Sequence, residues 1–141
     1  MTLDCKIWGP KYWFVLYTIA LNYPLNPNEV SKKIYYNLVQ NIPIFIPEKE
    51  LSKIFKSFID LYPVTPYLDS RESFIKWVHF IHNKYNNTLN LKETTLEEEM
   101  LLYYEEYKPK EVKSIIERKR REKFVFILII CIIILIGYIY R

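Results

Sequence analysis

The chain has 141 residues, 50% of them hydrophobic and 26% charged, with a formal net charge of +4. Residues 1–109 carry 12 Lys/Arg against 13 Asp/Glu, so the positive balance belongs to the C-terminal segment, and nucleic-acid binding by the main domain is excluded. Cys5 stands near the start and Cys131 inside the most apolar stretch, so no structural disulfide is expected within a monomer.

Two glycines and no convincing alternation of apolar and polar residues predict an all-α protein, with helices separated by proline-marked turns. A first helix is expected to start at Pro10, which suits the first helical position, and to run to about Asn22, with Trp13, Leu16, Tyr17 and Ala20 on its apolar face. A second runs from Asn28, a good N-cap, to about Ile42, ahead of Pro43 and Pro47. The third starts near Pro47 and carries Leu51, Ile54, Phe55, Phe58 and Ile59 as one stripe before Pro63 and Pro66.

Ser70 caps a fourth helix that ends near Leu89. Its Phe74, Trp77, Val78, Ile81 and Tyr85 share a face, while Arg71, Lys76 and Lys84 point away. A fifth, Thr95 to about Tyr107, opens on the capping-box pattern Thr95-Leu96-Glu97-Glu98; its acids, Glu97 to Glu99, read as a solvated helix start. Pro109 breaks the chain, and from Lys110 a long helix continues.

Phe124 to Tyr140 holds seventeen residues without a charge. At about 1.5 Å per residue it reaches about 25 Å, which predicts a transmembrane helix suited to a thin bilayer. Arg118, Lys119, Arg120, Arg121 and Lys123 precede it, against Arg141 alone at the far end, so the N-terminal side is expected to face the cytosol with lipid headgroups as the partner of the cations. Met1 to Lys11 has no apolar core, and no secretory signal is expected. The division is a helical domain over 1–109, a basic juxtamembrane helix over 110–123 and the span over 124–140. The sequon Asn86-Asn87-Thr88 is read as coincidence in a cytosolic domain.

Three local patterns line up in order. Trp8-Gly9-Pro10 is followed by Trp13, Leu16, Ala20 and Tyr23-Pro24; Ile46-Pro47 leads a helix start; Trp77 is followed after four residues by His82-Asn83-Lys84-Tyr85-Asn86 and then Leu89. Together, from Trp8 to Leu89, they resemble the Erv/ALR family of FAD-linked sulfhydryl oxidases, most closely the short versions of large DNA viruses. The resemblance implies a four-helix bundle plus a short fifth helix, with FAD held among the helices. It also implies oxidation of substrate thiols to a disulfide, with oxygen reduced to hydrogen peroxide. Gly9 would allow close backbone approach, Trp13 would pack on the flavin side, and His82 with Asn83 and Asn86 would contact adenine and ribose.

The family places a C-x-x-C pair at the start of the third helix. Here that register reads Pro47-Glu48-Lys49-Glu50-Leu51, so Glu48 and Leu51 hold the cysteine positions, and no C-x-x-C occurs in the chain. Cys5 offers one sulfur without a resolving partner. Tyr17 stands where the family has histidine, Tyr85 where it has valine, and Asn90-Leu91-Lys92 where it often has Gly-Lys. Trp13 and Trp77 read equally well as core aromatics. His79 and His82, three apart, are too few ligands for a metal, so none is expected.

Two functions follow from the resemblance. One is a membrane-anchored FAD-linked oxidase, impaired or dependent on sulfurs from a redox partner or a homodimer. The other is a docking or dimerisation module on a membrane that no longer binds FAD.

Overall fold

The computed structural model describes residues 3–139, which form six α-helices and one short 3-10 turn with no strand among them. They are α1 (Cys5–Leu21), α2 (Glu29–Phe45), α3 (Lys49–Leu61), α4 (Arg71–Thr88), α5 (Leu96–Glu105) and α6 (Lys110–Ile139), with the 3-10 turn at Thr65–Tyr67. Two compact units divide the chain, Met1–Tyr103 and Tyr104–Arg141. Within the first, α1 packs on α4, α2 on α3 and α3 on α4, the helical bundle expected from the sequence.

α1 begins five residues earlier than Pro10 suggests. The Asp4 carboxylate accepts from the Lys6 amide at 2.9 Å, and its carbonyl takes the Ile7 amide at 3.0 Å, so the cap precedes the proline. Pro10 then sits inside the helix on an exposed face, where only the intrahelical bond to the Lys6 carbonyl is lost.

Pro43 likewise fails to stop α2, which continues to Phe45. The last carbonyls of that helix are met by side chains: Ser52 Oγ donates to Pro43 O at 2.6 Å and Tyr12 Oη to Phe45 O at 2.7 Å. α3 starts at Lys49 and buries Leu51, Phe55 and Ile59, with Ile54 and Phe58 packed beside them. All five apolar residues expected on α4 are buried, and Ser70 accepts the Ser73 amide at 3.1 Å. Arg71 does not point away: its Nε donates to the Tyr23 carbonyl.

α4 closes in a Schellman arrangement, Leu91 N to Asn86 O at 2.9 Å and Asn90 N to Asn87 O at 3.1 Å, with Asn90 at φ 55°. Asparagine thus takes the left-handed position that a glycine would hold. The capping box of α5 forms both ways, Glu98 N to Thr95 Oγ1 at 3.1 Å and Thr95 N to Glu98 Oε2 at 2.8 Å. α5 ends at Glu105, two residues before the expected Tyr107.

α6 is one uninterrupted helix through the basic run into the apolar segment. Among the described residues, no helix is long and apolar enough to cross a membrane. The span expected over 124–140 contributes sixteen described residues, ending at Ile139, because Tyr140 lies outside them. Sixteen residues rise about 24 Å, short of the roughly 30 Å of hydrocarbon in a typical bilayer. The apolar side chains from Phe124 to Ile136 are all at least 40% exposed.

Candidate functional site

The facing surfaces of α1 and α4 carry aromatic rings at helical spacing, which brings residues from the two ends of the sequence signature together. Trp13 stacks on His82 with ring centroids 4.2 Å apart and planes inclined by 22°. Tyr85 stands edge-on to the same indole at 5.8 Å, and Phe55 is tilted against it by 41° at 6.1 Å. These rings pack together inside the bundle; the void beside Trp13, lined also by Leu16, Phe55 and Trp77, is about 10 Å³ and wholly apolar, so it offers an ordered water no polar partner.

Beside the stack, six polar side chains close a ring. Tyr17 Oη, 1% exposed as a residue, lies 3.2 Å from His82 Nδ1 and 3.3 Å from His79 Nδ1. Asn83 Nδ2 reaches His79 Nε2 at 3.2 Å and donates to the Thr94 carbonyl at 2.9 Å, while the Thr94 amide donates back to Asn83 Oδ1 at 3.1 Å. Thr94 Oγ1 donates to Glu99 Oε2 at 3.1 Å, and Glu99 Oε1 returns to within 3.7 Å of His82 Nδ1.

His82 is 8% exposed, and burial, with His79 alongside, lowers its pKa to about 4. It is therefore neutral at physiological pH, and its approach to Glu99 is a polar contact without the charge pairing of a salt bridge. Burial first, and the Glu99 carboxylate second, hold the Tyr17 phenol far above its ordinary range.

The opposite end of the rings is different in kind. Tyr85 is 5% exposed, and its hydroxyl is buried with no hydrogen-bond partner among the described residues. Burial raises its pKa, and the Glu48 carboxylate at the start of α3 adds a smaller push in the same direction. Glu48 is the exposed N-cap of α3 and makes no side-chain cap bond, whereas Leu51 is in the core.

Of the residues singled out in the sequence, Trp13, Tyr17, His82 and Asn83 come together. Asn83 spends its amide on the Thr94 backbone and His79, so it clamps the 89–95 connector to α4. Asn86 is half-buried one turn further on, its carbonyl held in the helix cap. Gly9 is separate: beyond its own chain neighbours and the adjoining turns of α1, nothing lies within 4 Å of the point where a Cβ would sit.

Glu99 is the clearest omission. It is no solvated acid, with only 14% of its side chain exposed. The signal was its position between Leu96, Met100 and Tyr103, all of which turn inward on α5. Thr94 was equally unmarked, and His79 was weighed only as a metal ligand beside His82.

The Erv1 / Alr family model matches residues 10–113. A probable FAD-linked sulfhydryl oxidase of Acanthamoeba polyphaga mimivirus is 31% identical over 108 residues, 76% of each chain. A putative FAD-linked sulfhydryl oxidase of Invertebrate iridescent virus 3 is 27% identical over 90 residues, 64% of this chain and 61% of its own length. The fold is that of the crystallised FAD-binding domain of Saccharomyces cerevisiae Erv1, with a TM-score of 0.63 over 67% of this chain and 89% of that one at 24% identity. With the family's model matched over well over half its length, and the bundle and aromatic site in place, the chain belongs to the Erv1 / Alr family.

Proposed function

We propose that this protein is a membrane-associated flavoprotein of the sulfhydryl-oxidase type that depends on a redox partner for its reactive sulfurs. The observation that carries the cofactor reading is the orphaned Tyr85 hydroxyl, a buried donor and acceptor that costs free energy unless a ligand atom meets it. Trp13 and His82 add planar faces that already hold another ring at stacking distance. The residues present therefore suit FAD: Trp13 and His82 would face its rings, Tyr85 would bind a polar edge, and Asn86 would lie toward its nucleotide part.

Bound there, FAD would accept two electrons from a dithiol, the two thiol protons leaving as a disulfide forms, and oxygen would be reduced to hydrogen peroxide. The chain's own groups exclude water from the rings and hold His82 neutral. They do not supply the sulfur pair: Glu48 and Leu51 occupy the start of α3, and Cys5 and Cys131 belong to separate compact units. A partner dithiol, from another protein or a second copy, completes the reaction.

Membrane association rests on the exposed apolar side chains of α6 and the cations Arg118 to Arg121 and Lys123 just before them, an arrangement that favours anionic headgroups on the cytosolic leaflet. The full chain, purified in detergent, should show flavin absorbance and should float with vesicles containing phosphatidylserine. A colourless protein that gains no flavin on adding FAD overturns the cofactor reading; protein left at the bottom of the gradient overturns the membrane reading.

A second reading, a docking module without FAD, is favoured by the direct Trp13–His82 stack, since the indole and the imidazole already cover each other's faces. The same spectrum separates the two.

A further inference from the structure

His79 and His82 are the chain's two histidines, and the ring of side chains around them dictates where each carries its proton. The order starts at the backbone. The Thr94 amide donates to Asn83 Oδ1 at 3.1 Å and Asn83 Nδ2 donates to the Thr94 carbonyl at 2.9 Å; turning the amide over would set donor against donor and acceptor against acceptor.

With that orientation, Nδ2 offers its other hydrogen to His79 Nε2 at 3.2 Å. That nitrogen must accept, so His79 is neutral with its proton on Nδ1. His79 Nδ1–H then donates to Tyr17 Oη at 3.3 Å, which leaves the phenolic hydrogen for His82 Nδ1 at 3.2 Å. Glu99 Oε1, at 3.7 Å from the same nitrogen, is beyond hydrogen-bond reach and does not compete for a proton there. His82 Nδ1 accepts, and the ring's proton is left on Nε2.

We propose that Asn83, acting through His79 and Tyr17, is a positioning residue that fixes His82 as the Nε2–H tautomer. The site histidine thereby meets its ligand as a donor and selects an acceptor atom of a nucleotide, a ring nitrogen or a sugar or phosphate oxygen. An amino or amide N–H at the same place would meet another N–H and be rejected. The identity of the ligand rests on the cofactor reading above; the tautomer does not.

The test uses the full chain in detergent micelles with ¹⁵N-labelled histidine, read by long-range hydrogen–nitrogen correlation at pH 7. Two spin systems are expected, His79 as Nδ1–H and His82 as Nε2–H. His82 observed as Nδ1–H, or as comparable amounts of both tautomers, overturns the proposal in the unaltered protein. In Tyr17→Phe, His79 should keep its Nδ1–H pattern while His82 becomes a mixture; a His82 pattern unchanged from the parent overturns the relay. In Asn83→Asp, a carboxylate faces His79 Nε2, and His79 should reverse to Nε2–H. Adding FAD separates the two proposals: binding should shift the His82 Nε2 resonance with the tautomer retained, whereas a chain that binds no flavin but keeps both patterns sinks only the cofactor reading.

Discussion

At the His82 end of the site, hydrogen bonds link His82, Tyr17, His79, Asn83, Thr94 and Glu99 into a chain whose two ends approach to 3.7 Å; at the Tyr85 end, a phenol of similar burial has no hydrogen-bond partner among the described residues, and Glu48 and Leu51 stand at the start of α3. Both ends face the same aromatic rings. The first is consistent with a structure complete in itself, since a buried network is stable only when its members are satisfied. The second leaves a buried hydroxyl without a partner among the described residues, and the chain carries no C-x-x-C. On the function proposed above, the sulfur pair is supplied by a partner, while the polar chain around His82 belongs to the bundle itself.

The contrast breaks most sharply if the sulfurs are put back. Glu48→Cys with Leu51→Cys should raise dithiothreitol-dependent oxygen uptake from background to steady turnover, while either single variant stays at background because a lone thiolate has no resolving partner. Oxygen-electrode traces of the three variants decide the matter; equal rates in single and double variants would contradict it.

Acid attacks the other end. Burial lowers the His82 pKa in the folded protein to about 4 from its ordinary 6.5, so between these values the unfolded chain binds more protons. The stabilisation is fully present above pH 6.5 and is lost as pH falls toward 4, by about 3 kcal/mol in all. Urea midpoints should be flat from pH 8 to 7 and fall steeply below 6, and His82→Gln should flatten that slope.

Tyr85→Phe sharpens the comparison with opposite signs. Removing the orphaned hydroxyl should stabilise the flavin-free protein by about 1 kcal/mol, yet weaken flavin retention where that hydroxyl meets the ligand. Denaturant melts and flavin content, measured on one preparation, give both numbers. The smallest effect is expected at the cap of α4, where Asn90→Ala should cost about 1 kcal/mol or less because alanine tolerates φ 55° poorly. Asn90→Gly should melt with the parent.

Periodicity located α3 and α4 closely, since Leu51, Phe55, Ile59, Phe74, Trp77 and Ile81 repeat at the helical period and are all buried. Local chemistry located the Ser70 cap and the Thr95–Glu98 box for the same reason: each is settled by a few neighbouring residues. Prolines misled, because Pro10 and Pro43 lie where tertiary partners and exposed carbonyls tolerate them. The site was half legible. Trp13 and His82 stood out as types, and the spacing of α5 turns Glu99 inward, but that Thr94 would pair with Asn83 depends on how the connector folds back, which no spacing within the chain encodes.

The two-point pairing of Asn83 with Thr94 has a consequence for the order in which the molecule opens. Thr94 sits in a connector without helix, where amide hydrogens ordinarily exchange with solvent almost as fast as in a free peptide. Here its N–H is bonded to a side chain rooted in the middle of α4, so its exchange should follow the unwinding of that helix. A slow amide at Thr94, flanked by fast ones at exposed Lys92 and Glu93, would mark the connector as part of the same cooperative unit as α4, melting with it and not ahead of it.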